Sequence, residues 1–158
     1  MRTNVWLRTA DRVRIVLAEF KALSFEDVFS NVKAIPWADY MPLDAEFPVA
    51  GRAVRSKLHS EPDVQSVTKK AIVESMSETY HRHSRLPESG PKYPLEISIH
   101  NDNALMLLDT TGDSLFKRGY RVAKGPAPLK ENFAAALVML TNWRDYKPFY
   151  DPTTGSGT

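Results

Sequence analysis

Two short stretches that read as strands, Leu95 to Ile99 and Ala104 to Asp109, lie either side of the tripeptide Asn101-Asp102-Asn103. Asn and Asp tolerate the left-handed backbone that a tight hairpin turn demands. A β-hairpin here fixes two neighbouring antiparallel strands and one apolar face that something must cover. The longest helical signal lies upstream. Ser60-Glu61-Pro62-Asp63 combines an N-cap residue with a first-turn proline and acids. Val64, Val67, Ala71, Ile72, Ser75 and Met76 then recur on one helical face. A shorter helix begins after Ser24, has Asp27 near its start, and carries Val28, Phe29, Val32 and Ile35 until Pro36 stops it.

Two more strands are expected. Residues 4–20 nearly alternate, with Val13, Ile15 and Leu17 on one side and Arg12, Arg14 and Val16 on the other. Pro42 and Pro48 bracket a segment that becomes extended over residues 46–56 and leads into a basic turn. Residues 82–94 hold Pro, Gly, Ser and charge, and read as a loop. The fold class is α/β. Trp6, Trp37 and Trp143 are expected as packing anchors.

With 42% hydrophobic and 25% charged residues, the chain is globular rather than disordered. No apolar run reaches the ~20 residues of a membrane span, and the N-terminus lacks the apolar centre of a secretory signal. Absence of cysteine excludes disulfides and thiolate metal sites and fits a reducing, cytoplasmic setting. A net charge of +2 neither demands nor excludes nucleic acid, so the placement of charge decides.

Three basic groups stand out. Gly51 to Lys57 carries Arg52, Arg55 and Lys57; if this stretch stays extended, Arg52 and Ser56 share one face while Arg55 and Lys57 point to the other. Lys69 and Lys70 lie in the long helix, and Lys117, Arg118 and Arg121 follow the hairpin beside Tyr120. Clustered cations suit phosphate, and an aromatic ring can stack on a base. By residue type alone the more ordinary reading is a solvated face, with Tyr120 in the core. His59, His81, His83 and His100 invite a metal reading, but His81 and His83 have no nearby carboxylate cluster beyond Glu78, and no metal site is expected. Glu74, Glu78, Asp109 and Asp113 form no acid/base pair.

The last third changes character. Residues 111–130 hold Gly112, Gly119, Gly125, Pro126 and Pro128 and read as a connector. Residues 129–143 predict a helix that is apolar nearly all round, a pattern normally buried. A short strand at Phe149-Tyr150 then leads to Asp151-Pro152-Thr153-Thr154-Gly155-Ser156-Gly157-Thr158. A glycine turn after a strand is where open α/β sheets bind cofactors. By composition alone the same tail fits a flexible linker.

Taken together, several of these pieces resemble a known family. Leu115-Phe116-Lys117-Arg118-Gly119-Tyr120-Arg121, Ala127-Pro128-Leu129-Lys130-Glu131-Asn132 and Asp151-Pro152 followed by Gly155-Ser156-Gly157-Thr158 are similar, in order and spacing, to the THUMP-containing RNA methylase family. Trp6-Leu7-Arg8-Thr9-Ala10-Asp11-Arg12, Pro42-Leu43-Asp44 and Arg55-Ser56-Lys57-Leu58 extend the resemblance over essentially the whole chain. It implies a partial ferredoxin-like region over residues 1–23, an RNA-binding THUMP domain over 24–111, a connector over 112–128, and the start of a Rossmann-like methyltransferase domain, a linker helix and first strand, over 129–158.

The resemblance further implies S-adenosyl-L-methionine as cofactor. Asp151, Pro152, Gly155, Ser156, Gly157 and Thr158 would form its first motif, and Pro128, Lys130 and Glu131 would cap its methionine end. Structured RNA, most specifically guanosine N2 of 23S ribosomal RNA, is the implied substrate, bound through Arg52, Arg55, Lys57, Lys69, Lys70, Lys117, Arg118 and Arg121. The family's catalytic Asn/Asp-Pro-Pro-aromatic motif lies downstream of its glycine turn and has no counterpart in this sequence. This chain alone is therefore expected to be inactive and to bind the cofactor poorly. Two alternatives stay open: a free-standing RNA-binding module, and part of a DNA or RNA adenine N6-methyltransferase. The apolar helix adds an expectation of self-association.

Overall fold

The hairpin turn is a two-residue turn, with Asn101 at φ 50° and Asp102 at φ 62°. Both central residues are left-handed, which is the geometry that matches the twist of paired strands. The computed structural model describes residues 2–82, 85–119 and 129–155. Residues 14–110 form one compact unit; residues 1–13 and 111–158 form another.

In the first unit, β3 (Leu95–His100) and β4 (Asn103–Asp109) pair antiparallel from Leu95↔Leu108 to His100↔Asn103. β2 (Val49–Val54) lies parallel to β3, and β1 (Arg14–Lys21) lies antiparallel to β4, giving the order β1-β4-β3-β2. β1 therefore belongs to this sheet, although the sequence places residues up to 23 in a preceding region. Leu95, Ile97, Ile99, Ala104 and Met106 face a core shared with Val28 and Val32 of α2 (Phe25–Lys33) and Val64, Ile72 and Met76 of α3 (Glu61–Thr79). Trp37 is buried in that core and donates its indole N–H to the Val32 carbonyl at 2.9 Å.

α2 starts where Ser24 and Asp27 exchange bonds. The Asp27 amide donates to Ser24 Oγ at 3.2 Å, and the Asp27 carboxylate accepts the Ser24 amide at 2.9 Å and the Leu23 amide at 3.0 Å. The Ser24 side chain first, and then its backbone amide, lower the Asp27 pKa. α3 begins after Ser60 as expected, but the Ser60 side chain makes no capping bond. The start of α3 serves the outer edge of β2 instead. The Ala53 amide donates to Glu61 Oε1 at 3.2 Å, and Gln65 Nε2 donates to the Val49 carbonyl. Side chains thus occupy edge groups that another strand would otherwise seek.

That approach depends on Gly51. A Cβ at this position would stand 2.8 Å from the Glu61 carbonyl oxygen and 3.3 Å from Gln65 Cβ. Gly51→Ala should push α3 off β2 and cost about 1–3 kcal/mol, as overpacking does. A thermal melt should show a midpoint lowered by at least about 5 °C for a unit of this size; an unchanged midpoint would mean that the helix yields freely.

Several expectations are corrected. Residues 4–20 are not one strand: α1 occupies Arg2–Trp6, and β1 begins only at Arg14. The cause is the partner, because β4 ends at Asp109, opposite Arg14, and the ladder among the described residues ends there. A register shift between Val16 and Ala18 also breaks the simple alternation. β2 covers six residues and stops at Val54, short of the expected residue 56. Trp6 is 73% exposed and anchors no core. In the second unit α4 spans Glu131–Leu140, shorter than residues 129–143, and its apolar side is open rather than buried. Phe149 and Tyr150 are exposed and lie in no strand, since nothing among the described residues pairs with them.

Candidate nucleic-acid interface and cofactor segment

The helices cover one face of the sheet, and the register defines the rows of the other. Lys21, Asn103, His100 and Val54 stand side by side in one row; Glu19, Leu105, Ser98 and Arg52 form the next. The first row spans about 14 Å, three inter-strand spacings. Beyond it the chain leaves β2 through Arg55, Ser56 and Lys57 and re-enters the core at buried Leu58.

Arg55 is left-handed, at φ 51°. A non-glycine residue there is held by its surroundings. The extended reading of residues 52–56, with Arg55 and Lys57 sharing one face, is therefore corrected: the strand ends at Val54 and the backbone turns at Arg55. The turn is pinned to the hairpin tip. The Asn101 amide donates to the Val54 carbonyl at 3.2 Å, the Lys57 amide to Asp102 Oδ1 at 2.8 Å, and the Asp102 amide to Ser56 Oγ at 3.1 Å. Ser56 Oγ in turn donates to the Val54 carbonyl at 3.0 Å, and the Asp102 carbonyl accepts the Ala22 amide at 2.9 Å.

Arg52, Arg55 and Lys57 are exposed and form no ion pair among the described residues. The structure thus brings three of the expected cations to one edge and adds Lys21 and His100, which the sequence did not single out for this role. Strand order was the missing signal, because only the pairing of β1 with β4 sets Lys21 in this row.

Lys69, Lys70 and Arg118 lie elsewhere and are engaged. Lys69 pairs with Glu88 at 3.0 Å and sits 5.2 Å from the centre of the Phe47 ring. Lys70 lies 3.9 Å from Glu74 and 5.7 Å from the Phe29 ring centre. In the second unit the Arg118 guanidinium donates to the carbonyl oxygens of Asn4, Val5 and Leu7, at the end of α1. Cations are favoured at that end of a helix, where carbonyls lack intrahelical partners. Lys117 is exposed. Arg121 and Tyr120 lie outside the described residues, as does His83. Among the described residues no group of three His, Asp or Glu could hold a metal, and no helix is long and apolar enough to cross a membrane.

Of the expected cofactor residues, Glu131 is 9% exposed at the start of α4 and lines a cleft of about 530 Å³ with Trp6, Leu115, Phe116 and Arg118. Lys130 places its ammonium 5.1 Å from the Phe116 ring centre. Asp151 closes a local turn, its Oδ1 accepting the Thr153 amide at 2.9 Å and hydroxyl at 3.1 Å. Pro152 is exposed, and Gly155 takes a positive φ of 57°. Pro128, Ser156, Gly157 and Thr158 lie outside the described residues. Among the described residues, Asp151 thus closes a turn just ahead of a glycine with left-handed backbone, two features that a segment holding S-adenosylmethionine would use.

The fold is therefore a mixed α/β unit with a basic edge, beside a second unit of residues 1–13 and 111–158. Residues 22–109 match the THUMP domain and residues 118–158 match the RMKL-like methyltransferase domain. The chain belongs to the THUMP-domain family, joined to the methyltransferase-like segment. It is 49% identical over 158 residues to the Bacillus subtilis protein named "Putative RNA methyltransferase YpsC", covering 99% of this chain and 41% of the relative. A Synechocystis protein named "Putative RNA methyltransferase slr0064" is 34% identical over 157 residues, with coverage of 99% and 41%. A Listeria monocytogenes structure described as a "predicted N6-adenine-specific DNA methylase" superposes with TM-score 0.93 at 56% identity, covering 99% of this chain and 41% of that one. The structure of SMU.472, described as "a putative methyltransferase complexed with SAH", gives TM-score 0.92 at 52% identity and the same coverage. The chain thus spans about 41% of the length of these relatives.

Proposed function

We propose that this chain is the RNA-binding part of an S-adenosylmethionine-dependent RNA methyltransferase that modifies guanosine N2 in 23S ribosomal RNA in the cytoplasm. One observation carries the reading: Arg52, Arg55 and Lys57 stand exposed, with no ion pair among the described residues, at one edge of a THUMP domain. Phosphate contacts from such a set hold an RNA without reading its bases. Sequence choice then belongs to the methyltransferase part, to which residues 118–158 contribute the beginning. The relative named an RNA methyltransferase and the one described with SAH support RNA as substrate and S-adenosylmethionine as methyl donor. Lys130, Glu131, Asp151, Pro152 and Gly155, with Pro128, Ser156, Gly157 and Thr158, would supply part of the cofactor site. No residue of this chain receives a catalytic role, and the chain alone transfers no methyl group.

The experiment joins this chain to the portion of the Bacillus subtilis relative that follows the matched region, and supplies 23S ribosomal RNA, transfer RNA and duplex DNA with a methyl-labelled donor. Digestion of the labelled product should yield N2-methylguanosine from ribosomal RNA. The description of the Listeria structure favours a second reading, adenine N6 methylation of DNA. Label recovered as N6-methyladenine in DNA would establish that reading, and label in no nucleic acid would favour a binding module.

A further inference from the structure

We propose that Asp102, an acid at the hairpin tip, is a positioning residue for RNA binding: it holds Arg55 and Lys57 where they meet phosphate. The inference rests on the reading of this edge as the RNA surface. On charge alone Asp102 is misplaced, since a carboxylate beside a phosphate-binding edge weakens binding. Its geometry explains why it is there. Oδ1 accepts the Lys57 amide at 2.8 Å, and its own amide donates to Ser56 Oγ. Ser56 Oγ donates onward to Val54, the last residue of β2. These bonds span Arg55, whose left-handed backbone needs outside support. On the far side, Leu58 is sunk in the core. The three-residue turn is therefore fixed at both ends and at its middle. The cations it carries meet a phosphate without first losing the entropy of a loose loop.

Two substitutions separate this role from charge and from folding. Asp102→Gly removes the carboxylate and leaves Asn-Gly, the sequence most favoured in a two-residue hairpin turn with two left-handed residues, so the hairpin keeps its turn. Asp102→Asn keeps an oxygen to accept the Lys57 amide and tolerates the same backbone, but removes the negative charge. Coulomb attraction alone predicts tighter binding by both variants. Positioning predicts opposite signs. Asp102→Gly should bind RNA roughly tenfold more weakly, with a salt slope shallower by about one unit because one phosphate is no longer neutralised. Asp102→Asn should bind at or above the parent level.

The probe is a fluorescent RNA stem-loop titrated with the full chain at low and moderate salt, beside the double variant Arg55→Gln/Lys57→Gln. Hydrogen exchange of the Lys57 amide is read in each protein and should speed up in Asp102→Gly only. Equal or tighter binding by Asp102→Gly, with Lys57 exchange unchanged or not, would overturn the proposal. So would a global loss of exchange protection in Asp102→Gly, because Asp102 would then be a folding residue. If the Arg55/Lys57 double variant binds as the parent does, the reading of the edge itself fails, and the two failures are told apart.

Discussion

Raising the salt from about 50 to about 200 mM should weaken RNA binding by this chain roughly 40-fold or more, from counterion release at three phosphate contacts alone. The estimate takes Arg52, Arg55 and Lys57 as the contacting cations, each contributing about 0.9 to the slope of log affinity against log salt. Lys21 lies in the adjoining row and would deepen the slope if it also touches phosphate. Lys69 and Lys70 should add little, because each already faces a carboxylate and an aromatic ring. Arg118 keeps its charge but spends its donors on the carbonyls of Asn4, Val5 and Leu7. Changing Arg55 and Lys57 together to Gln should remove about two units of slope and weaken all RNAs alike, since phosphate contacts carry no base preference. Fluorescence titrations at the two salt concentrations decide the matter. Equal affinity at both would sink the electrostatic account, and a variant that alters sequence preference would show that these side chains read bases.

What the sequence makes legible is what local physics decides. The Asn101-Asp102 turn, the Ser24–Asp27 capping box and the buried face of α3 each follow from residues within a few positions of one another. Pairing between distant segments does not. Nothing within residues 4–20 says that their partner is β4 or that the ladder ends at Asp109, so the first strand reads too long and α1 goes unseen. The candidate site divides in the same way. Arg52, Arg55 and Lys57 are visible as a cluster of charge, but the left-handed turn at Arg55 is imposed by a hairpin tip some forty-five residues away, Asp102 bonding to the Lys57 amide. An acid in that role is invisible to any search for basic clusters. The indole of Trp37 and that of Trp6 are equivalent in composition; only Trp37 has a core to enter.

The isolated chain should self-associate through its second unit. Ten residues of α4 carry Phe133, Leu137, Met139 and Leu140 exposed, the last two at 71% and 84%. Tyr146, Phe149 and Tyr150 add exposed aromatic surface in the same unit. The one residue that α4 buries is the charged Glu131, so the helix points its apolar groups at water and its acid inward. Each large apolar side chain removed from water contributes about 1.5–3 kcal/mol, and the row Phe133, Leu137 and Leu140, spaced i, i+4 and i+7, gives one helix face an apolar stripe that drives association. The relatives are more than twice as long as the matched region, so the portion of a relative that follows the match is the cover to try. Sedimentation of the chain should therefore show a mass that rises with concentration and does not fall at high salt, the opposite of its RNA binding. Joining the chain to the following portion of the Bacillus subtilis relative should restore a single sedimenting species and lower the binding of hydrophobic dye. The same joining should bring S-adenosylmethionine binding, measured by calorimetry, where the isolated chain shows none. A glycine turn holds such a ligand only with the next helix behind it, whose N-terminal amides and dipole complete the site. A chain that sediments as one monomer at every concentration and binds little dye would show that α4 needs no further cover, and the expectation of self-association would fall.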